Sequence, residues 1–76
     1  MNINRIKDSL EKNNIVEFKI YSLNYIIKYK ENKYIIYPKN DYNRKKTFPT
    51  IDDLFKKYEI YNENLKTNED KIDLNI

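Results

Sequence analysis

The sequence predicts an α+β fold in two layers: an N-terminal helix, an antiparallel meander of three to four strands, and a second helix on the same sheet face. Three observations carry this. Val16, Phe18 and Ile20 alternate with Glu17, Lys19 and Tyr21, and Tyr25, Ile27 and Tyr29 alternate with Ile26, Lys28 and Lys30. That is the period-two pattern of strands with one dry face and one wet face. Ile3, Ile6 and Leu10 follow helical spacing instead, and so do Ile51, Leu54, Phe55 and Tyr58. Each helix then has one apolar stripe to bury, and the dry sheet face takes both.

Taken in order, the first helix covers about three turns, with Asn2 as its N-cap and Asn13-Asn14 ending it. Three strands follow between Val16 and Pro38. Two-residue turns at Leu23-Asn24 and Asn32-Lys33 set the register: Ile20 faces Ile27, Phe18 faces Tyr29, and Tyr29 faces Ile36. The chain has no glycine, so Asn24 and Asn32 are expected to supply positive φ. This register also puts Lys19 opposite Lys28, which is unfavourable. Pro38 ends the third strand, and a polar, basic loop follows. Lys45 to Phe48 is the candidate fourth strand. Thr50 is the N-cap of the second helix, with Asp53 in the capping-box position. Asp52 and Asp53 in the first turn, and Lys56 and Lys57 towards the end, match its dipole. Ile60, Tyr61 and Leu65 anchor an irregular segment. Residues 1–65 are read as one domain. Residues 66–76 are a tail with two readings, disorder or a short docking strand in which Ile72, Leu74 and Ile76 alternate.

Composition narrows the chemistry. Gly, Ala, His, Cys, Trp and Gln are absent, while Asn, Ile, Lys and Tyr crowd the chain. Those four residues are favoured by A/T-rich codons. Without His or Cys there is neither a general base tuned near neutral pH nor a thiolate nucleophile, and zinc sites of the usual kind are excluded. Without Gly, Walker-type and dinucleotide-binding loops are excluded too. Asp52-Asp53 is helix-start chemistry, and Glu69-Asp70 with Asp73 lacks calcium-loop spacing. No enzyme activity, metal or cofactor is expected. There is no apolar leader and no membrane-spanning run, so the expectation is a cytoplasmic protein. Residues 1–50 carry eleven basic and five acidic groups, against four and seven in residues 51–76. The basic part is suited to an anionic partner, or to the acidic end folding back over it.

The candidate partner-binding residues lie on the wet face and the loop beside it: Lys19, Tyr21, Ile26, Lys28, Lys30, Ile35 and Tyr37, with Arg44, Lys45 and Lys46. Two uses fit them. Tyrosine and isoleucine on an open face suit a protein interface, and an edge strand offers a homodimer contact as well. Tyrosine rings among lysines also suit single-stranded nucleic acid, where rings stack on bases and cations track phosphates. The plainer account is that tyrosine fits strands and lysine keeps an open face solvated.

In outline, the stretches NRIKDSLEKN, EFKIYSLNYIIKYKENKYIIYP and FPTIDDLFKKYEIYNENL resemble small single-domain proteins of A/T-rich Gram-positive bacteria and their phages and mobile elements. The likeness covers about residues 1–65 and brings no site residues with it. It implies a binding role, since some phage-borne proteins of this size block a host protein, including nucleases of bacterial defence.

Overall fold

The computed structural model describes residues 2–74. In chain order the elements are α1 (Asn2–Asn13), β1 (Ile15–Ile20), β2 (Leu23–Lys30), β3 (Lys33–Pro38), β4 (Lys46–Phe48), α2 (Ile51–Lys57), β5 (Glu59–Ile60), β6 (Glu63–Asn64) and β7 (Asp73–Leu74). Short 3-10 turns occupy Tyr42–Arg44 and Glu69–Lys71. Strands β1 to β4 form the expected meander. A fifth strand, β7, adds antiparallel to β1, so the sheet order is β4-β3-β2-β1-β7. The segment after α2 is a separate two-stranded hairpin, β5-β6, rather than irregular chain.

Both helices pack on the dry face. Ile6 and Leu10 of α1, and Leu54 and Phe55 of α2, join Val16, Phe18, Ile20, Tyr25, Ile27 and Ile36 of the sheet in one core. Asn14 ends α1 at φ 62°, with its N–H bonded to the Leu10 carbonyl at 2.9 Å. Asn tolerates that left-handed position better than most residues. α1 already includes Asn2, so the residue expected as its N-cap is itself helical. The Thr50 hydroxyl accepts the Asp53 N–H at 3.1 Å, the N-cap bond its spacing predicts. Tyr58 follows α2 in extended conformation and still reaches the core, its ring edge-on to Tyr25 and Phe48.

The register differs from the expected one in both hairpins. The first turn falls at Tyr21-Ser22, so Phe18 faces Tyr25, Val16 faces Ile27, and Lys19 faces Asn24. The second falls at Glu31-Asn32, so Ile27 faces Ile36 and Tyr29 faces Tyr34. The reason is packing. The earlier turn stacks Phe18 on Tyr25, ring centroids 5.8 Å apart. It also removes the Lys19–Lys28 pair, since Lys28 now lies between Ile15 and Ile35. Positive φ therefore falls on Tyr21 and Ser22, not on Asn24, while Asn32 keeps its expected role. A third turn of the same kind, Tyr61-Asn62, joins β5 to β6. Two successive positive-φ residues are the mark of type I′ turns, whose twist matches that of a hairpin.

Residues 66–74 lie against the body of the fold. Leu65, Asn68 and Ile72 are buried, and β7 pairs Phe18 with Leu74 and Lys19 with Asp73. Asn64 organises the turn. Its Oδ1 accepts the Thr67 N–H at 2.8 Å, and its carbonyl accepts the Asn68 Nδ2 at 3.3 Å. Ile76, the last residue of the expected alternation, lies outside the described residues.

Candidate interaction face

The sheet face away from the helices is built by the alternate residues of β1 to β4. Pairing places Ile15, Lys28, Ile35 and Thr47 in one row across four strands, with Glu17, Ile26 and Tyr37 in the next. Lys28 thus stands among three isoleucines, with its ammonium 5.7 Å from the Tyr37 ring centre. Ile15 is exposed, and Ile26 and Ile35 are partly so. No described helix covers them.

One end of this face is closed by the basic loop, which is folded rather than splayed. Turn bonds run from the Asp41 N–H to the Pro38 carbonyl at 2.9 Å and from the Lys45 N–H to the Tyr42 carbonyl at 3.1 Å. They bring Tyr42 edge-on to Tyr37, and the Lys45 ammonium sits 4.4 Å from the Tyr42 ring centre. The Lys39 ammonium reaches back across the face to Glu17 at 3.1 Å.

The ten expected site residues consequently divide. Ile26, Lys28, Ile35 and Tyr37 come together, with Lys45 joined to them through Tyr42. Tyr37 is not the exposed ring expected, because Tyr42 and Lys28 cover it and leave it 5% accessible. Lys19 stays on the face but at its margin, between Asn24 and Asp73. Lys30 lies at the β2–β3 tip opposite Lys33. Tyr21 leaves the face for the turn, where its ring meets Tyr61 at 5.3 Å and the Lys71 ammonium at 5.5 Å. Lys46 pairs with Ile36, and so belongs to the dry side, where its ammonium stands 6.0 Å from the Tyr58 ring centre. Arg44 also turns that way, and its positive charge acts on the Tyr25 and Tyr58 hydroxyls.

Those two hydroxyls hold the shifted pKa values. Burial pushes Tyr58 up to about 12, with the neighbouring Tyr25 adding to the rise and Arg44 opposing it. Burial raises Tyr25 as well. Both lie in the core layer, so the shifts report packing rather than catalysis.

Ile15 lies outside the expected site, and Tyr42 and Lys39 fall in its expected loop, residues 39–46, without being singled out there. Tyr42 left a signal that reading missed: one aromatic residue in a polar loop, a few residues beyond the strand whose ring it covers. Ile15 left another, because it continues the wet-face alternation backwards from Glu17.

Among the described residues, no group of three or more carboxylates is placed to hold a metal ion, and no helix is long and apolar enough to cross a membrane. Comparison with family models, curated proteins and solved structures finds no match to this chain.

Proposed function

We propose that this chain is a small non-enzymatic protein-binding module, acting as a regulator or inhibitor of a cellular protein through the sheet face opposite its helices. The observation that supports this is the cluster of Ile15, Ile26 and Ile35 around Lys28, apolar surface that no described element buries. Burying such a patch releases about 25 cal/mol per Å² of apolar surface. Lys28 stands at its centre and lysines 19, 30, 33 and 45 lie towards its margins, while Glu17 is matched by Lys39. The complementary partner surface is apolar, with an acidic group opposite Lys28 and further acidic groups at its rim.

Single-stranded nucleic acid is the second reading, and the Lys45–Tyr42 pair favours it, since the Tyr42 ring is half exposed beside a cation. It has less to stand on than the protein reading. A stacking platform needs several free rings, and Tyr37 is buried while Tyr21 is remote.

The test places a photo-crosslinking residue at Thr47, beside Ile35, and a control at Lys57 in α2, in cells of the source. The expected result is one protein captured at position 47 and not at 57. That capture survives nuclease and is lost in Ile26→Asp/Ile35→Asp, a variant whose melting curve stays cooperative. Recovery of nucleic acid, with affinity falling log-linearly in salt, moves the function to the second reading. Capture unchanged by the double variant removes the isoleucine face from the site.

A further inference from the structure

A second feature lies on the opposite side of the molecule. Helices α1 and α2 both pack on the dry face, and an ion pair joins them: the Lys7 ammonium sits 3.1 Å from an Asp52 carboxylate oxygen. To one side is a cavity of about 410 Å³. Lys7, Leu10, Glu11 and Asn14 line it from α1 and its end, at the i, i+3, i+4, i+7 spacing of one helix face. Tyr29 and Tyr34, cross-strand partners with ring centroids 4.8 Å apart, line it from the sheet, and Ile51 lines it from the start of α2. The volume falls within the ordinary range for small-ligand sites, roughly 300–1,000 Å³.

We propose that this cavity binds a small organic cation, an ammonium or guanidinium carried on a short apolar stem. Leu10, Ile51 and the two rings supply contact for the stem. Four features favour positive charge for the head. Glu11 lines the cavity, and no described residue forms an ion pair or hydrogen bond with its carboxylate. Lys7, the one cation in the lining, is already compensated by Asp52. Asn14 marks the C-terminal end of a twelve-residue helix, the end whose dipole favours cations. Tyrosine rings attract cations in the same sense. An anion at this position meets Glu11 and the helix end with nothing free to balance them.

The source of the cation is either a free amine or an arginine or lysine side chain presented by a partner, and the probes separate the two. Amide resonances of the ¹⁵N-labelled chain are followed while n-butylguanidinium or n-butylammonium is added at fixed ionic strength. Pentanoate and 1-butanol serve as controls. Saturable shifts are expected at residues 7–14, 29, 34 and 51 with both cations and not with the controls. Glu11 is exposed, so Glu11→Gln is expected to fold normally and to weaken binding at least fivefold. Equal affinity for N-acetyl-arginine methylamide assigns the cavity to a partner's side chain, and exclusion of that probe assigns it to a free amine. Absence of saturable shifts, equal response to 1-butanol, shifts centred elsewhere, or unchanged affinity in Glu11→Gln overturns the proposal.

Discussion

Tyr42 packs edge-on against Tyr37, with ring centroids 4.8 Å apart and planes at 77°. A residue of the loop therefore covers a residue of the sheet, and one end of an otherwise uncovered face becomes dry. The arrangement ties β3 to the chain that leaves it. Tyr42→Ala is expected to cost about 1 kcal/mol, the usual worth of an aromatic pair, and to expose Tyr37. Tyr37→Ala is expected to cost about 3 kcal/mol, as for a buried aromatic. Urea unfolding of the two variants checks the order. Equal, negligible losses would show the loop standing off the sheet.

Ile72 is 4% accessible and belongs to the core cluster, although it lies in what reads as a polar tail. Ile72→Ala is expected to destabilise by about 2–5 kcal/mol, the range for a buried isoleucine. Chemical denaturation measures this, and loss of amide protection in β1 follows where β7 detaches. A change below about 0.5 kcal/mol, typical of surface substitutions, is the result that places residues 66–74 outside the folded unit.

Raised tyrosine pKa values make stability fall in alkali. The folded state holds the Tyr58 proton up to about pH 12, whereas an unfolded tyrosine releases it near its ordinary value of about 10. Folding thus binds more protons between those values, so stability is full below about pH 10 and declines as pH rises towards 12. Tyr25, shifted in the same direction, adds to the decline. Thermal melts from pH 8 to 12 check the sign, and Tyr58→Phe is expected to flatten the slope.

The three two-residue turns hold Tyr21, Ser22, Glu31, Asn32, Tyr61 and Asn62 at positive φ without a single glycine. Each L-residue other than Asn or Asp in that region carries roughly 1–2 kcal/mol of steric strain. Ser22 is exposed, so its replacement leaves the core untouched. Ser22→Gly relieves strain and loses part of the gain to unfolded-chain entropy, for a net stabilisation of about 0.5–1 kcal/mol. The melting temperature is expected to rise by about 2–8 °C. A fall would mean that the Ser22 side chain holds the turn.

The sequence was informative about faces and poor about neighbours, and one piece of geometry explains both. In an antiparallel hairpin closed by two residues, each side chain pairs with one of opposite index parity. Moving the turn by whole residues keeps that parity, so Val16, Phe18, Ile20, Tyr25, Ile27 and Ile36 stay dry wherever the turn falls. Cross-strand partners do depend on the turn. Asn24 looked the better turn residue by propensity, yet Tyr21 and Ser22 take the strained positions because that register stacks Phe18 on Tyr25. The helices were legible from their stripes, and the Thr50 cap from its spacing. Strand β7 was legible only as one of two readings of the tail, since the alternation there is short and its pairing with β1 is purely long-range. The placement of the candidate residues shows the same weakness. Ile26, Lys28 and Ile35 needed only the correct face, whereas Tyr21, Arg44 and Lys46 needed the correct turn and loop path.

The β1–β7 pairing joins residues far apart in the chain, which bears on how the sheet closes during synthesis. β1 is complete once residue 20 has left the ribosome, and β2 to β4 can assemble beside it as they emerge. Its outer edge then waits, with unpaired N–H and C=O groups, until residues 73 and 74 arrive to hydrogen-bond Phe18 and Lys19. Over that interval the nascent sheet shows a template for pairing with other chains, the period in which a small β protein is most prone to aggregate. Lys19 on that edge, charged and exposed, is the residue that makes such pairing unfavourable before Asp73 comes to sit opposite it.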